Sequence, residues 1–274
     1  TAKLWRAADG ALLATLTHGS PVRAAAFAPD GRTIVTAADD GTVRLWTEDG
    51  KLVWTAAQGS PLTAAVVSNG LVATGAANGS VRLWHARNGA SAGALAGHTG
   101  PITSLAFSSD GSLLISGSAD HTARMWSTQT GKLIHALVGH TLGVTSVSFS
   151  ANGKLALTAS VDGDARIWSV ASGQTVHRLK FHVSTISQAA FSPDGRWVVT
   201  AGPTTAAIWQ VRTGDLLYFL NGAKGNLTSA AWAPDSLRIV AGDSGGGVEG
   251  FDCSLCARQP ALTKLAKERL AALR

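Results

Sequence analysis

Residues 97–127 read GHTGPITSLAFSSDGSLLISGSADHTARMWS, and residues 139–169 read GHTLGVTSVSFSANGKLALTASVDGDARIWS. The two stretches align without a gap, 42 residues apart. Each holds an alternating segment (Pro101 to Phe107 in the first), then a turn with Gly behind Asp or Asn: Ser109-Asp110-Gly111 and Ala151-Asn152-Gly153. Gly there supplies the positive φ that a tight hairpin requires. A short apolar run follows, as at Leu113 to Gly117, and after a second turn comes a segment ending in Trp126 or Trp168. A third turn, closed by Gly131 or Gly173, leads to a fourth segment such as Lys132 to Leu137. The pattern predicts four short strands joined by tight turns, an antiparallel meander.

The same grammar runs through most of the chain. Trp5, Trp46, Trp84, Trp126, Trp168 and Trp209 lie 41, 38, 42, 42 and 41 residues apart, and Phe251 follows 42 residues later in the same context. A period near 40 marks a repeat architecture. One meander cannot bury both of its faces, whereas copies arranged radially can, each packing on a neighbour. The expected fold is all-β, a β-propeller over residues 1–252.

On these residues the chain resembles the WD-repeat propellers. That family is recognised by a His before the first strand, a Ser or Thr in the second, an Asp in the next turn, and the Trp. Here His18, Thr36, Asp40 and Trp46 correspond, as do His98, Ser116, Asp120 and Trp126, and His140, Thr158, Asp162 and Trp168, at identical spacings. A buried Trp N–H needs an acceptor, and hydroxyl, imidazole and carboxylate can form a closed chain behind it. These residues are therefore read as structural hydrogen-bond sets rather than as a catalytic pair. The 58–84 unit departs with Gln58 and Asn78 at the His and Asp positions. The 182–209 unit keeps His182 but has Gly202-Pro203 in its turn, and the last unit has Phe251 for Trp.

Six units with their first three strands fit within residues 20–252. Residues 1–17 hold only a Trp-bearing third strand and a fourth, a half-blade. The expectation is a longer, seven-bladed parent. The alternative is six-bladed closure, with strand 11–17 completing the last sheet. Residues 253–274 break the pattern. Pro260 can open a helix, and Leu262, Leu265, Ala266, Leu270 and Leu273 fall along one face, so a short amphipathic helical tail is expected. Cys253 and Cys256 form half a zinc site, and the favoured reading is a pair of inert thiols buried by the tail, ahead of a disulfide or a shared metal. The Phe251 to Cys256 stretch followed by a basic helix resembles the end of bacterial WD-repeat sensor regions attached to STAND-type signalling NTPases.

Composition bounds the function. In 274 residues the net charge is +6, of which the segment Arg258 to Arg274 carries +4, so the body offers no basic stripe for nucleic acid. No run of about 18 apolar residues suggests a membrane helix, and two cysteines and no visible leader favour a reducing, cytoplasmic setting. Gly242-Asp243-Ser244-Gly245-Gly246 matches the nucleophile motif of trypsin-like proteases but falls in a predicted hairpin turn, without the His and Asp context that chemistry needs. Arg44, Arg82, Arg124 and Arg166 recur two residues before Trp and are assigned to blade packing.

No catalytic residue, metal ligand or cofactor is expected. The family resemblance implies a protein-interaction platform. Its partner, a protein or peptide with an apolar anchor, would dock on the loops that enter first strands and the turns between second and third strands. Asp39, Leu142, Val161 and Val183 are the candidate contacts. Upstream domains of a bacterial signalling protein are the sharper expectation. A propeller enzyme with a hydrolytic or metal site in the central channel is the competing one.

Overall fold

In the computed structural model residues 1–253 are described, except 69, 204 and 222–224. Every element among them is a strand. β1 (Ala2–Trp5) and β2 (Leu12–Leu16) form a two-stranded sheet. Blade 1 follows with β3 (Val22–Phe27), β4 (Thr33–Ala38), β5 (Thr42–Thr47) and β6 (Leu52–Ala57), and blade 2 with β7 (Leu62–Val67), β8 (Leu71–Ala76), β9 (Val81–His85) and β10 (Ser91–Leu95). Blade 3 holds β11 (Ile102–Phe107), β12 (Leu113–Ser118), β13 (Thr122–Ser127) and β14 (Leu133–Val138), and blade 4 holds β15 (Val144–Phe149), β16 (Leu155–Ser160), β17 (Asp164–Ser169) and β18 (Thr175–Lys180). Blade 5 is β19 (Gln188–Phe191), β20 (Trp197–Ala201), β21 (Thr205–Gln210) and β22 (Leu216–Asn221), and a three-stranded blade 6 is β23 (Leu227–Trp232), β24 (Arg238–Asp243) and β25 (Val248–Asp252).

Each blade is an antiparallel meander in sequence order, as the turn chemistry predicts. Gly31, Gly111, Gly153 and Gly195 all sit at positive φ in the first hairpin of their blades. Strand β2 pairs with β1 rather than with β25, so the six-bladed clasp proposed for it does not form among the described residues. The expected helical tail lies outside them, apart from Cys253.

Blades are fastened to one another in three layers. Successive first strands lie side by side, β3 on β7, then β11, β15, β19 and β23. There the hydroxyl of one blade donates to a backbone carbonyl at the start of the next. Thr63 reaches the Ile102 carbonyl at 2.5 Å, Thr103 that of Val144 at 2.6 Å, Thr145 that of Ile186 at 2.6 Å, and Ser187 that of Leu227 at 2.9 Å.

In the middle layer, apolar side chains from the second and third strands of one blade meet the first and second strands of the next. Val35, Val43 and Leu45 of blade 1 pack on Leu62, Ala65 and Val72 of blade 2. Burying a side chain of this size contributes about 1.5–3 kcal/mol. At the rim, a fourth-strand side chain rests on the left-handed Gly in the last hairpin of the following blade. Trp54 covers Gly89 and donates its Nε1–H to the Ala86 carbonyl at 2.8 Å, and His135 and His177 cover Gly173 and Gly214 in the same way.

Candidate partner-binding face

The loop face is set by a buried chain of donors and acceptors in each blade. In blade 4, Trp168 Nε1–H donates to Thr158 Oγ1 at 2.9 Å, and Thr158 is 2.7 Å from His140 Nε2. His140 Nδ1 in turn lies 3.1 Å from Asp162 Oδ2, which also accepts from the Thr141 backbone N–H at 2.9 Å. Because the hydroxyl accepts from Trp, its own proton goes to Nε2, and the neutral imidazole then carries its proton on Nδ1, facing the carboxylate. Blade 3 repeats the arrangement with Trp126, Ser116, His98 and Asp120, the last link being 2.7 Å. Burial lowers both imidazoles below their ordinary pKa against the opposing pull of Asp120 and Asp162. Burial raises the Asp120 carboxyl, but hydrogen bonds from Thr122, His98 and Thr99 outweigh it and hold the group at about 2. The Asp thereby pins the loop entering the first strand to the turn after the second.

The other blades vary this chain. In blade 1, His18 meets Thr36 at 2.6 Å, but Asp40 instead accepts from Thr42, and the buried His18 Nδ1 has no partner. In blade 2, Gln58 takes the His role: Thr74 donates to its Oε1 at 2.5 Å and its Nε2–H donates to Ser80 Oγ at 2.9 Å. Sequence spacing flagged Gln58 only as a departure. The signal for its role lay in Ser80, four residues before Trp84. In blade 5, Thr200 links Trp209 to His182 at 3.0 and 2.8 Å. Gly202 stands over the His182 ring, leaving no carboxylate, and burial drops this imidazole to about 4.

On that frame the structure brings three of the four candidate contacts together. The Ser160 hydroxyl donates to the Leu142 carbonyl at 3.1 Å, and the Val161 N–H to the Gly143 carbonyl at 2.9 Å, so both exposed side chains sit on the same clasp of blade 4. The loop carrying Val183 closes over the same turn: a Cβ on Gly163 would lie 2.7 Å from the His182 carbonyl. Val183 itself is fully exposed. Asp39 lies on the same end but in blade 1, with two blades between. It is held in a two-pronged pair with Arg23, at 2.7 and 2.6 Å. Next to the clasp, His121 occupies a left-handed turn position (φ 72°), which Gly41, Gly79 and Gly163 fill in blades 1, 2 and 4.

The WD domain, G-beta repeat family matches residues 10–47, 89–127, 131–169 and 173–210, more than half of the sequence. The chain belongs to the WD40 repeat family. Among curated proteins, WD repeat-containing protein 38 of Mus musculus is 53% identical over 38 residues, 14% of this WD40 chain and 12% of that protein. Mitochondrial division protein 1 of Schizosaccharomyces pombe is 30% identical over 124 residues, 37% of this chain and 19% of that protein. The WD40 chain thus spans less than a fifth of the length of either relative.

Other sequence features take definite places in the WD40 frame. Arg44 and Arg166 donate to the Thr17 and Gly139 carbonyls, at 2.5 and 2.8 Å, tying each blade to the end of the preceding fourth strand. The Asp243 carboxylate accepts from Gly245 and Gly247, both at 2.8 Å, and closes the Gly-rich segment as a turn. Cys253 is buried and disulfide-bonded, which corrects the expectation of an inert thiol, and Cys256 lies outside the described residues. No helix among the described residues is long and apolar enough to cross a membrane.

At the opposite end of the hub, a cavity of about 680 Å³ is lined by Phe27, Val66, Ser68, Leu105, Phe107 and Asp110. Sequence reasoning passed over it. The aromatic residues recurring at the ends of first strands were its visible sign.

Proposed function

We propose that this WD40 chain is a non-enzymatic scaffold that captures a protein or peptide through the loop face of blades 4 and 5. One observation carries the reading: Leu142, Val161 and Val183 project into solvent from loops that are themselves locked by buried hydrogen bonds. An exposed apolar cluster on a rigid base can bury an incoming side chain without first ordering its own backbone. The face adds little charge, because Arg23 and Asp39 neutralise each other, so an apolar anchor fits it better than a phosphate.

The test compares wild-type and Leu142→Arg protein as baits in an extract of the source organism. Leu142 is exposed, so the variant should melt within about 1 °C of wild type, a surface substitution changing stability little. It should also lose the captured species. A species held equally by both baits would overturn the assignment of the face.

The finer reading is a sensor propeller within a larger bacterial signalling protein of the cytoplasm. It rests on the likeness of the stretch from Phe251 onward to STAND-associated sensor regions. The complete reading frame tests it: absence of an NTPase or effector domain from the frame would remove this reading and leave the scaffold role intact.

A further inference from the structure

The hub ladder stops at both ends of the arc, and the same two ends expose side chains that every other blade buries. In blade 1, Val35 and Val43 face blade 2 and are 0% exposed. At the corresponding positions of blade 6, Val240 is 46% and Val248 73% exposed. On the other flank, Phe27 ends β3 at 58% exposure, whereas Phe107, Phe149 and Phe191, at the same place in later blades, pack on the preceding blade. Between the flanks lies β1. In every complete blade the Trp-ending third strand is paired on both sides, but β1 pairs only with β2 among the described residues. No extensive contact joins β23, β24 or β25 to β1, β2 or β3 among those residues.

The polar groups specify what fits. The Val22 carbonyl stands where Ile102, Val144 and Leu227 each accept a hydroxyl from the blade before. Thr228 stands where Thr63, Thr103 and Thr145 donate forward, yet it turns back to the Gly242 carbonyl of its own blade at 3.2 Å. We infer that this opening is a strand-complementation site for a β-hairpin. The second strand of the hairpin pairs with the free edge of β1. Its first strand carries Thr or Ser at the second position, which donates to Val22, while Thr228 donates to its first carbonyl. Apolar residues on the two hairpin faces cover Phe27 and Val240. Edge pairing supplies affinity through the main chain, and the hydroxyl position supplies the register.

The probe is a synthetic peptide copying residues 101–121 of this chain, which holds one such hairpin. Added to the intact protein, it should slow hydrogen exchange at residues 2–5 in a saturable manner and shield Trp5. A Thr→Val change at the peptide's third residue (the copy of Thr103) should weaken binding about fivefold, the worth of one hydrogen bond. Phe27→Asp in the protein should abolish the effect at unchanged melting temperature, since Phe27 supports no contact of its own blade's core. An equal effect from a scrambled peptide, or none at millimolar peptide, would overturn the inference. So would protection of residues 2–5 that is already present without peptide, whether from self-association or from residues 254–274.

Discussion

The Ser or Thr of each blade's buried set is a two-way relay, and its loss leaves two groups stranded. Thr158 accepts from Trp168 and donates to His140, and it is fully buried. Thr158→Val keeps the shape but leaves an indole N–H and an imidazole nitrogen unpaired. Each such loss costs about 1–3 kcal/mol, so urea unfolding should show a destabilisation of about 2–4 kcal/mol. The His182 position predicts acid lability. In the unfolded chain this imidazole protonates near 6.5, in the fold only near 4. Above pH 6.5 both states are neutral and stability is full. As pH falls from 6.5 towards 4, the unfolded state takes the proton first and stability is lost. His182→Gln should flatten thermal midpoints over that window, because Thr205 stands where Ser80 receives the Gln58 amide in blade 2. A profile as steep as wild type would show that His18, His98 and His140, whose burial also lowers them, carry the dependence.

At the level of strands, the meanders were readable because each turn needs its Gly and each third strand its Trp. Equal spacing then placed every boundary. The hub ladder was readable in principle, as Thr63, Thr103, Thr145 and Ser187 recur near a 42-residue step. Its function was hidden because the acceptor belongs to the next blade and is a backbone carbonyl, which carries no sequence signature. For the same reason Leu142, Val161 and Val183 could be nominated but not seen to converge: their meeting depends on carbonyl contacts between neighbouring loops. Asp39 could not be known to be occupied, since Arg23 lies on a first strand where the other blades have a hydroxyl. Thr103→Val removes one ladder bond without changing volume much. It should cost about 1 kcal/mol, and hydrogen exchange should quicken in β11 and β15 with little change in β23.

Across the whole molecule, stability is shared between neighbours rather than drawn from one core. The buried clusters each span two adjacent blades. In such an array the units with one neighbour open first. Amides of β1, β2 and β23–β25 should therefore exchange faster than those of blades 3 and 4 under native conditions, as mass spectrometry of exchanged peptides would register. Uniform exchange would point instead to a single cooperative unit.

The forward-pointing hydroxyls and rim side chains also make the joints interchangeable. Thr63 finds a carbonyl in Ile102, and Thr103 finds the same group in Val144. Lifting out the 42 residues from His98 to Gly139 would bring Thr63 to Val144 with the same chemistry across the seam. In genetic terms the chain is written in cassettes: recombination at equivalent codons alters how many copies there are while leaving the grammar of every junction intact.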